Sequence, residues 1–290
     1  MRVLVTGAGG MVGRAVSEYC ESAGDLVFAY DHGSLDIADA DRVRQTFERD
    51  RPEAVINCAA WTDVDGCESD RERAFAANSR GPENLAIACR EIDARFVTIS
   101  TDYVFDGEKQ GFYTQQDRPN PQSVYGISKL EGERLAQSAD PRAIVVRTGF
   151  IFGPGGSNFL STIVERARRG EKLKAISDAY GTPTYALDLA RRLRELAGVD
   201  LSGIFHVVNS GDGVSYEKFT RAALDLAGCD ATNLEVVGMD SLQRLAPRPR
   251  NSRLKCLRSE ALGLSPLPFW KDSLRDFIAL GARSEVAAPS

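Results

Sequence analysis

The first thirteen residues constrain this chain more than any other stretch. Val3 to Gly13 read V-L-V-T-G-A-G-G-M-V-G, an apolar run, then glycines at 7, 10 and 13, then a helix-forming segment. A strand that enters a glycine turn and leaves it as a helix lets the backbone approach a pyrophosphate, while the helix N-terminus points unpaired N–H groups at it. A glycine triplet alone is equally a tight turn. The strand before it and the helix after it supply the context that nucleotide binding requires. Gly7, Gly10, Met11, Val12 and Gly13 are therefore candidate cofactor contacts.

Short apolar runs then alternate with helix-length segments. The strand candidates are Val3–Thr6, Leu26–Tyr30, Ala54–Ala59, Phe96–Thr101, Ala143–Arg147 and Ile204–Asn209. Repeated β-α units of this kind predict an α/β fold, a Rossmann-type doubly wound parallel sheet. Gly81-Pro82 marks a helix start, because proline at the first helical position gives up no needed hydrogen bond. After Gly149 the alternation becomes irregular, which predicts a second, smaller α/β unit assembled from separated pieces. The expected boundaries are 1–149 with 184–209 for the nucleotide half, and 150–183 with 210–290 for the other. Gly281 to Ser290 reads as a frayed end.

Composition excludes several classes of function. With 43% hydrophobic and 27% charged residues, the chain has an ordinary globular profile. Its net charge of -5 argues against nucleic acid or an anionic membrane as partner. No apolar stretch approaches a spanning helix and no signal-peptide layout opens the chain, so the expected location is the cytoplasm. Six scattered cysteines without C-x-x-C spacing read as reduced, mostly buried thiols. No His, Cys or carboxylate cluster nominates metal ligands.

Asp31 ends the second strand, where a carboxylate can accept hydrogen bonds from an adenosine ribose and repel a 2′-phosphate. That favours NADH over NADPH, although a strand-end turn would use Asp31 equally well. Asp36 and Ile37 can close over the adenine, and Asp39 or Asp41 can cap the next helix. Tyr125 and Lys129, in Y-G-I-S-K, share one face of a helix. An ammonium beside a phenol lowers its pKa, so Tyr125 is a candidate general acid. Thr101 ends the V-T-I-S-T strand, and ligands of open α/β sheets bind beyond such strand ends.

Taken together, GAGGMVG, INCAAWTDVDGCE, ISTDYVFDG, SVYGISKLEGE and RPRNSRL resemble the extended short-chain dehydrogenase/reductases, specifically the dTDP-4-dehydrorhamnose reductase family. The resemblance implies a two-domain enzyme with Thr101, Tyr125 and Lys129 as catalytic trio, and it adds Ala59 and Ala60 to the cofactor contacts. It implies reduction of the C4 ketone of a dTDP-linked 4-keto-6-deoxy sugar by NADH or NADPH. It also implies Asp102, Tyr103 and Phe150 as walls of the sugar pocket. Phe150 stands where the family carries tryptophan, so an apolar platform is kept and an indole donor lost. A homodimer is plausible for the fold.

Between Arg244 and Arg258 lie six basic residues and no acidic one. With the resemblance, this block predicts a seat for a diphosphate, with Asn251 and Arg253 as substrate contacts. Two rival functions share the scaffold. The first is a nucleotide-sugar 4,6-dehydratase or 4-epimerase; a dehydratase of this type typically carries Asp-Glu after the strand-end threonine, whereas Asp102 is followed by Tyr103. A non-catalytic nucleotide-binding subunit would have no need of Thr101, Tyr125 and Lys129 together.

Overall fold

The computed structural model describes residues 1–287. Its first half runs β1 (Arg2–Thr6), α1 (Met11–Ser22), β2 (Leu26–Tyr30), α2 (Ala40–Asp50), β3 (Ala54–Asn57), α3 (Val64–Ser69), α4 (Arg71–Phe75), a π-helical turn (Ala76–Arg80), α5 (Gly81–Glu91), β4 (Arg95–Thr101), α6 (Val124–Ala139) and β5 (Ile144–Thr148). Next come β6 (Ile151–Phe152), α7 (Phe159–Arg168), β7 (Leu173–Ile176), β8 (Tyr180–Gly181), β9 (Thr184–Tyr185), α8 (Ala186–Ala197) and β10 (Gly203–His206). The chain closes with β11 (Val214–Ser215), α9 (Tyr216–Ala227), β12 (Leu234–Val237), α10 (Arg258–Ala261) and α11 (Trp270–Ala287). Part of the expected frayed end is thus helical, and 288–290 lie outside the described residues.

All six strands expected from the sequence join one parallel sheet in the order β10-β5-β4-β3-β1-β2. Its inner strands β1, β3, β4 and β5 are buried on both faces, which explains their continuous apolar runs. Val3, Val5, Ile56, Val97 and Val146 face α1 and α8, whereas Leu4, Val55 and Phe96 face α2 and α5. The order reverses between β1 and β3, so the carboxyl ends of β1, β3 and β4 flank the switch point where such folds bind ligands.

Three two-stranded sheets, β6–β9, β7–β12 and β8–β11, build the smaller unit around Phe152, Phe219 and Trp270. The two units share side chains. Leu267 packs in the core under α8, and Leu254 joins Val104, Phe105 and Tyr113 of the long loop after β4. Phe105 stacks on Tyr113 at 4.3 Å, so it is a packing residue.

Helix starts follow local chemistry. Asp39, Asp63, Ser123, Asn158 and Ser215 each accept a backbone N–H from the first turn of their helices. Helix α1 differs: its cap is Gly10 and no side chain serves its N–H groups.

Candidate active site

A cleft of about 1360 Å³ runs across the carboxyl ends of the sheet strands, from the glycine turn to the segment after β5. At one end the glycines form a cradle without room for side chains. A Cβ on Gly7 would lie 2.6 Å from the Ala59 nitrogen, and one on Gly13 would lie 2.1 Å from the Gly7 carbonyl oxygen. Gly7 also has φ of +69°, which only glycine adopts freely. A buried polar row fixes the facing loop: Thr6 donates to Asn57 at 2.6 Å, and Asn57 donates to Thr98 while accepting the Ala59 N–H. The uncapped α1 terminus and this cradle fit the pyrophosphate of a dinucleotide.

Of the expected cofactor contacts, Gly7, Gly10, Met11, Val12, Gly13, Asp31, Asp36, Ile37, Ala59 and Ala60 all line the cleft. The Asp31 carboxylate accepts from the Ser34 amide and hydroxyl at 2.9 and 2.7 Å, and these bonds hold it below the usual carboxylate range. Asp36 turns its carboxylate onto the Ala38 N–H, and Asp39 is the residue that caps α2.

Thr101, Tyr125 and Lys129 converge at the centre of the cleft. Thr101 ends β4, beside Thr148 of β5. Tyr125, Lys129 and Glu133 follow one another up the inward face of α6, while two glycines let this helix dock. A Cβ on Gly126 would lie 2.4 Å from the Tyr103 carbonyl oxygen, and one on Gly132 would lie 2.0 Å from that of Asn78. Asn78 sits in the π-turn, where it bonds both Trp61 backbone groups and Ser128, locking α6 to the cleft wall. Nothing in the local sequence signals that π-turn; only the tertiary bonds require it.

The electrostatics differ from the sequence expectation. Lys129 is buried, and its Nζ donates to the Ile99 carbonyl oxygen at 2.7 Å. Burial lowers it to about 8, and the Glu133 charge opposes the fall. Burial also raises Tyr125 above the ordinary phenol range, with the Thr101 hydroxyl pulling the other way. Lys129 does not lower it, so Tyr125 rests as a neutral phenol, the form that gives up a proton. Behind Lys129, Glu133 is clamped by Arg147 through bonds of 2.9 and 2.6 Å, and it accepts the Ser100 hydroxyl.

Asp102, Tyr103 and Phe150 line the cleft beyond the trio, together with Trp61, Tyr216, Arg244 and Arg248. Phe150 has φ of +51° and packs on Tyr216 with ring centroids 4.4 Å apart. Asp102 is 5% exposed, and burial pushes its carboxyl up to about 6.

Asn251 and Arg253, expected from the sequence as substrate contacts, are not among the residues lining the cleft. The Asn251 amide donates to the carbonyls of Lys109 and Gly111 at 2.6 and 2.7 Å, and its oxygen accepts Arg253 Nε. Arg253 lies over the rings of Phe112 and Tyr180. Both residues help to close the long loop after β4.

The basic block likewise divides. Arg250 pairs with Asp178 and Asp240, and Arg258 covers Phe205, whereas Arg244 and Arg248 reach the cleft. Arg248 is held there by a bidentate bond to Asp65 at 2.6 and 3.1 Å. The charge run held these two arginines, but spacing along it could not separate them from their neighbours. Tyr216 had no local signal, since it arrives from α9.

His206 is a strand residue, as its sequence context suggests. Its Nδ1 faces the carbonyls of Tyr113 and Lys255, and burial beside Arg147 keeps the ring neutral. All six cysteines are free thiols. No helix among the described residues is long and apolar enough to cross a membrane.

Comparison with known proteins agrees with this geometry. The model of a family described as "RmlD substrate binding domain" matches residues 1–282. A dTDP-4-dehydrorhamnose reductase of Mycolicibacterium smegmatis is 38% identical, over 100% of this chain and 89% of that protein. Among solved structures, a dTDP-4-dehydrorhamnose reductase of Clostridium acetobutylicum superposes with a TM-score of 0.92 at 36% identity, covering 97% of this chain and 100% of that one. One of Bacillus anthracis in complex with NADP gives 0.92 at 31% identity, covering 96% and 99%. The chain belongs to the RmlD substrate binding domain family, that of the dTDP-4-dehydrorhamnose reductases.

Proposed function

We propose that this protein is an oxidoreductase that reduces the C4 ketone of a dTDP-4-keto-6-deoxy sugar, dTDP-4-dehydrorhamnose in the first instance, as a step of deoxysugar biosynthesis. The observation that carries the reading is the meeting of Thr101, Tyr125 and Lys129 in one cleft with the glycine cradle. NADH or NADPH, when bound, supplies hydride to the ketone carbon.

The chain's own residues do the rest. Tyr125 gives its phenolic proton to the alkoxide oxygen as that oxygen gains charge, an effect worth about 100- to 10,000-fold in rate. Lys129, charged below about pH 8, holds the nicotinamide ribose. Thr101 bonds the ketone oxygen. Arg244 and Arg248 give the diphosphate charge-assisted bonds, while Tyr103, Phe150 and Tyr216 wall the sugar.

For the cofactor we favour NADH. Asp31 stays ionised at the adenosine end of the cleft, where it repels a 2′-phosphate. The Bacillus anthracis relative was solved with NADP, so both cofactors belong in the test. We place the cofactor with the parallel-sheet half, 1–149 and 184–209, and the sugar nucleotide with the smaller unit, 150–183 and 210–290.

The deciding experiment mixes the protein with NADH or NADPH and a dTDP-4-keto-6-deoxyhexose, follows absorbance of the reduced cofactor, and reads the product configuration by NMR. Oxidation that depends on the sugar is expected, faster with NADH. No oxidation with any such sugar would favour a nucleotide-binding role without catalysis.

A further inference from the structure

Thr101 has one hydroxyl hydrogen and two lone pairs. Its Oγ1 accepts the Tyr103 N–H at 3.1 Å and donates to Asp102 Oδ1 at 3.1 Å. If Asp102 is ionised it can only accept, and the single hydrogen of Thr101 is then committed to it. A ketone oxygen arriving in the cleft would meet Thr101 as a second acceptor, which repels it.

The surroundings of Asp102 suit a neutral acid. A Cβ on Gly149 would lie 2.2 Å from the Asp102 carboxyl carbon, so that side chain is boxed in. Burial outweighs the lowering effect of the nearby Ser252 hydroxyl, which donates to the Tyr180 carbonyl at 3.4 Å, and among the described residues no lysine or arginine hydrogen-bonds the Asp102 carboxyl. The titratable groups around it are Tyr103 on its own segment, Tyr125 from α6 and Tyr216 from α9, with Arg244 and Arg248 beyond them. Burial holds all three phenols above their ordinary range. Asp102 is thus the member of this cluster that changes charge near neutral pH, and a diphosphate entering nearby makes its anion costlier still.

We propose that Asp102 is a positioning residue: in the productive complex it keeps its proton and donates that O–H to Thr101 Oγ1, so that the Thr101 hydroxyl turns outward and donates to the ketone oxygen. The hydrogen inventory then closes. Thr101 accepts from Tyr103 N–H and from Asp102, its own hydrogen goes to the substrate, and Tyr125 donates to the same oxygen. No proton leaves Asp102 during turnover; the one consumed comes from Tyr125. The inference rests on the reductase reading above.

The test compares kcat/KM between about pH 5 and about pH 7.5 for the protein and for Asp102→Asn, using a dTDP-4-keto-6-deoxyhexose and NADH. This parameter reports groups of the free enzyme. The protein is expected to lose about tenfold or more across that interval. In Asp102→Asn, whose amide N–H donates to Thr101 at every pH, the ratio between the two pH values should fall to about one. A ratio unchanged from the parent, or a variant inactive at every pH, overturns the proposal.

Ser252→Ala provides the second variant should the first fail to fold. Removing a hydroxyl that favours the carboxylate should move the decline to higher pH, and a decline that stays in place again overturns the proposal. If the parent protein oxidises no cofactor with any 4-keto sugar, the reductase reading itself fails. An active parent with the wrong pH response removes only the role of Asp102.

Discussion

Removing the Glu133 carboxylate should cost this protein a large share of its stability, because Glu133 and Arg147 form an ion pair in which both side chains are only 3% exposed. Two guanidinium bonds and the Ser100 hydroxyl converge on the carboxylate. In Glu133→Ala the guanidinium stays buried over the Phe105 ring without its counter-charge. Breaking a buried pair from one side costs about 3–5 kcal/mol. At about 2 °C per kcal/mol for a domain of this size, Tm falls by about 6–10 °C.

Replacing the pair together, Glu133→Leu with Arg147→Met, removes the unpaired charge and should recover most of the loss. Thermal and urea unfolding of the parent, both single variants and the double variant give the coupling directly. A single-variant loss below about 1 kcal/mol, or a double variant as unstable as the sum of the singles, would refute the reasoning. The same site has a kinetic signature. Lys129 is charged below about pH 8 and loses its charge above it, and Glu133 opposes that loss. In Glu133→Gln the alkaline decline in kcat should therefore move to lower pH; parallel profiles would show that Glu133 acts on stability alone.

Two further outcomes test the ends of the cleft. Gly13→Ala places a Cβ against backbone atoms of Gly7 and Ala8 that cannot swing aside, so a cost of about 1–3 kcal/mol is expected, seen as lower Tm and at least about tenfold weaker NADH affinity in calorimetry; unchanged affinity would remove the cradle argument. Arg244→Ala should raise KM for the sugar nucleotide by about 10- to 100-fold, from the loss of one charge-assisted bond, while leaving NADH affinity alone. Arg253→Ala should instead lower Tm without that KM change, and the reverse pattern would restore Arg253 as a substrate contact.

The parallel sheet was legible because each of its strands is a local apolar run, and the cofactor end because glycine turn, strand and helix are contiguous in sequence. The trio was legible as spacing: Tyr125 and Lys129 lie one turn apart, and Thr101 ends a strand. What could not be read was the use of each residue in the basic block. Arg248 and Arg253 are both arginines beside a proline or a serine, yet one reaches the cleft through Asp65 of α3 and the other covers the rings of Phe112, in the loop after β4, and Tyr180, in the smaller unit. Those partners lie far away in sequence, so no local pattern distinguishes the two. The effect of Lys129 on Tyr125 was misjudged for a related reason. Helical spacing puts both on one face, but the Ile99 carbonyl takes an ammonium hydrogen, and burial governs the phenol.

The claim at the centre of this account is that Tyr125 supplies the proton for ketone reduction in a cleft that also binds the nicotinamide cofactor. Turnover of a dTDP-4-keto-6-deoxyhexose by Tyr125→Phe, with NADH affinity measured on the same sample, tests it most directly. The account predicts turnover reduced by about 100-fold or more with cofactor affinity retained. Turnover within a few-fold of the parent would contradict it.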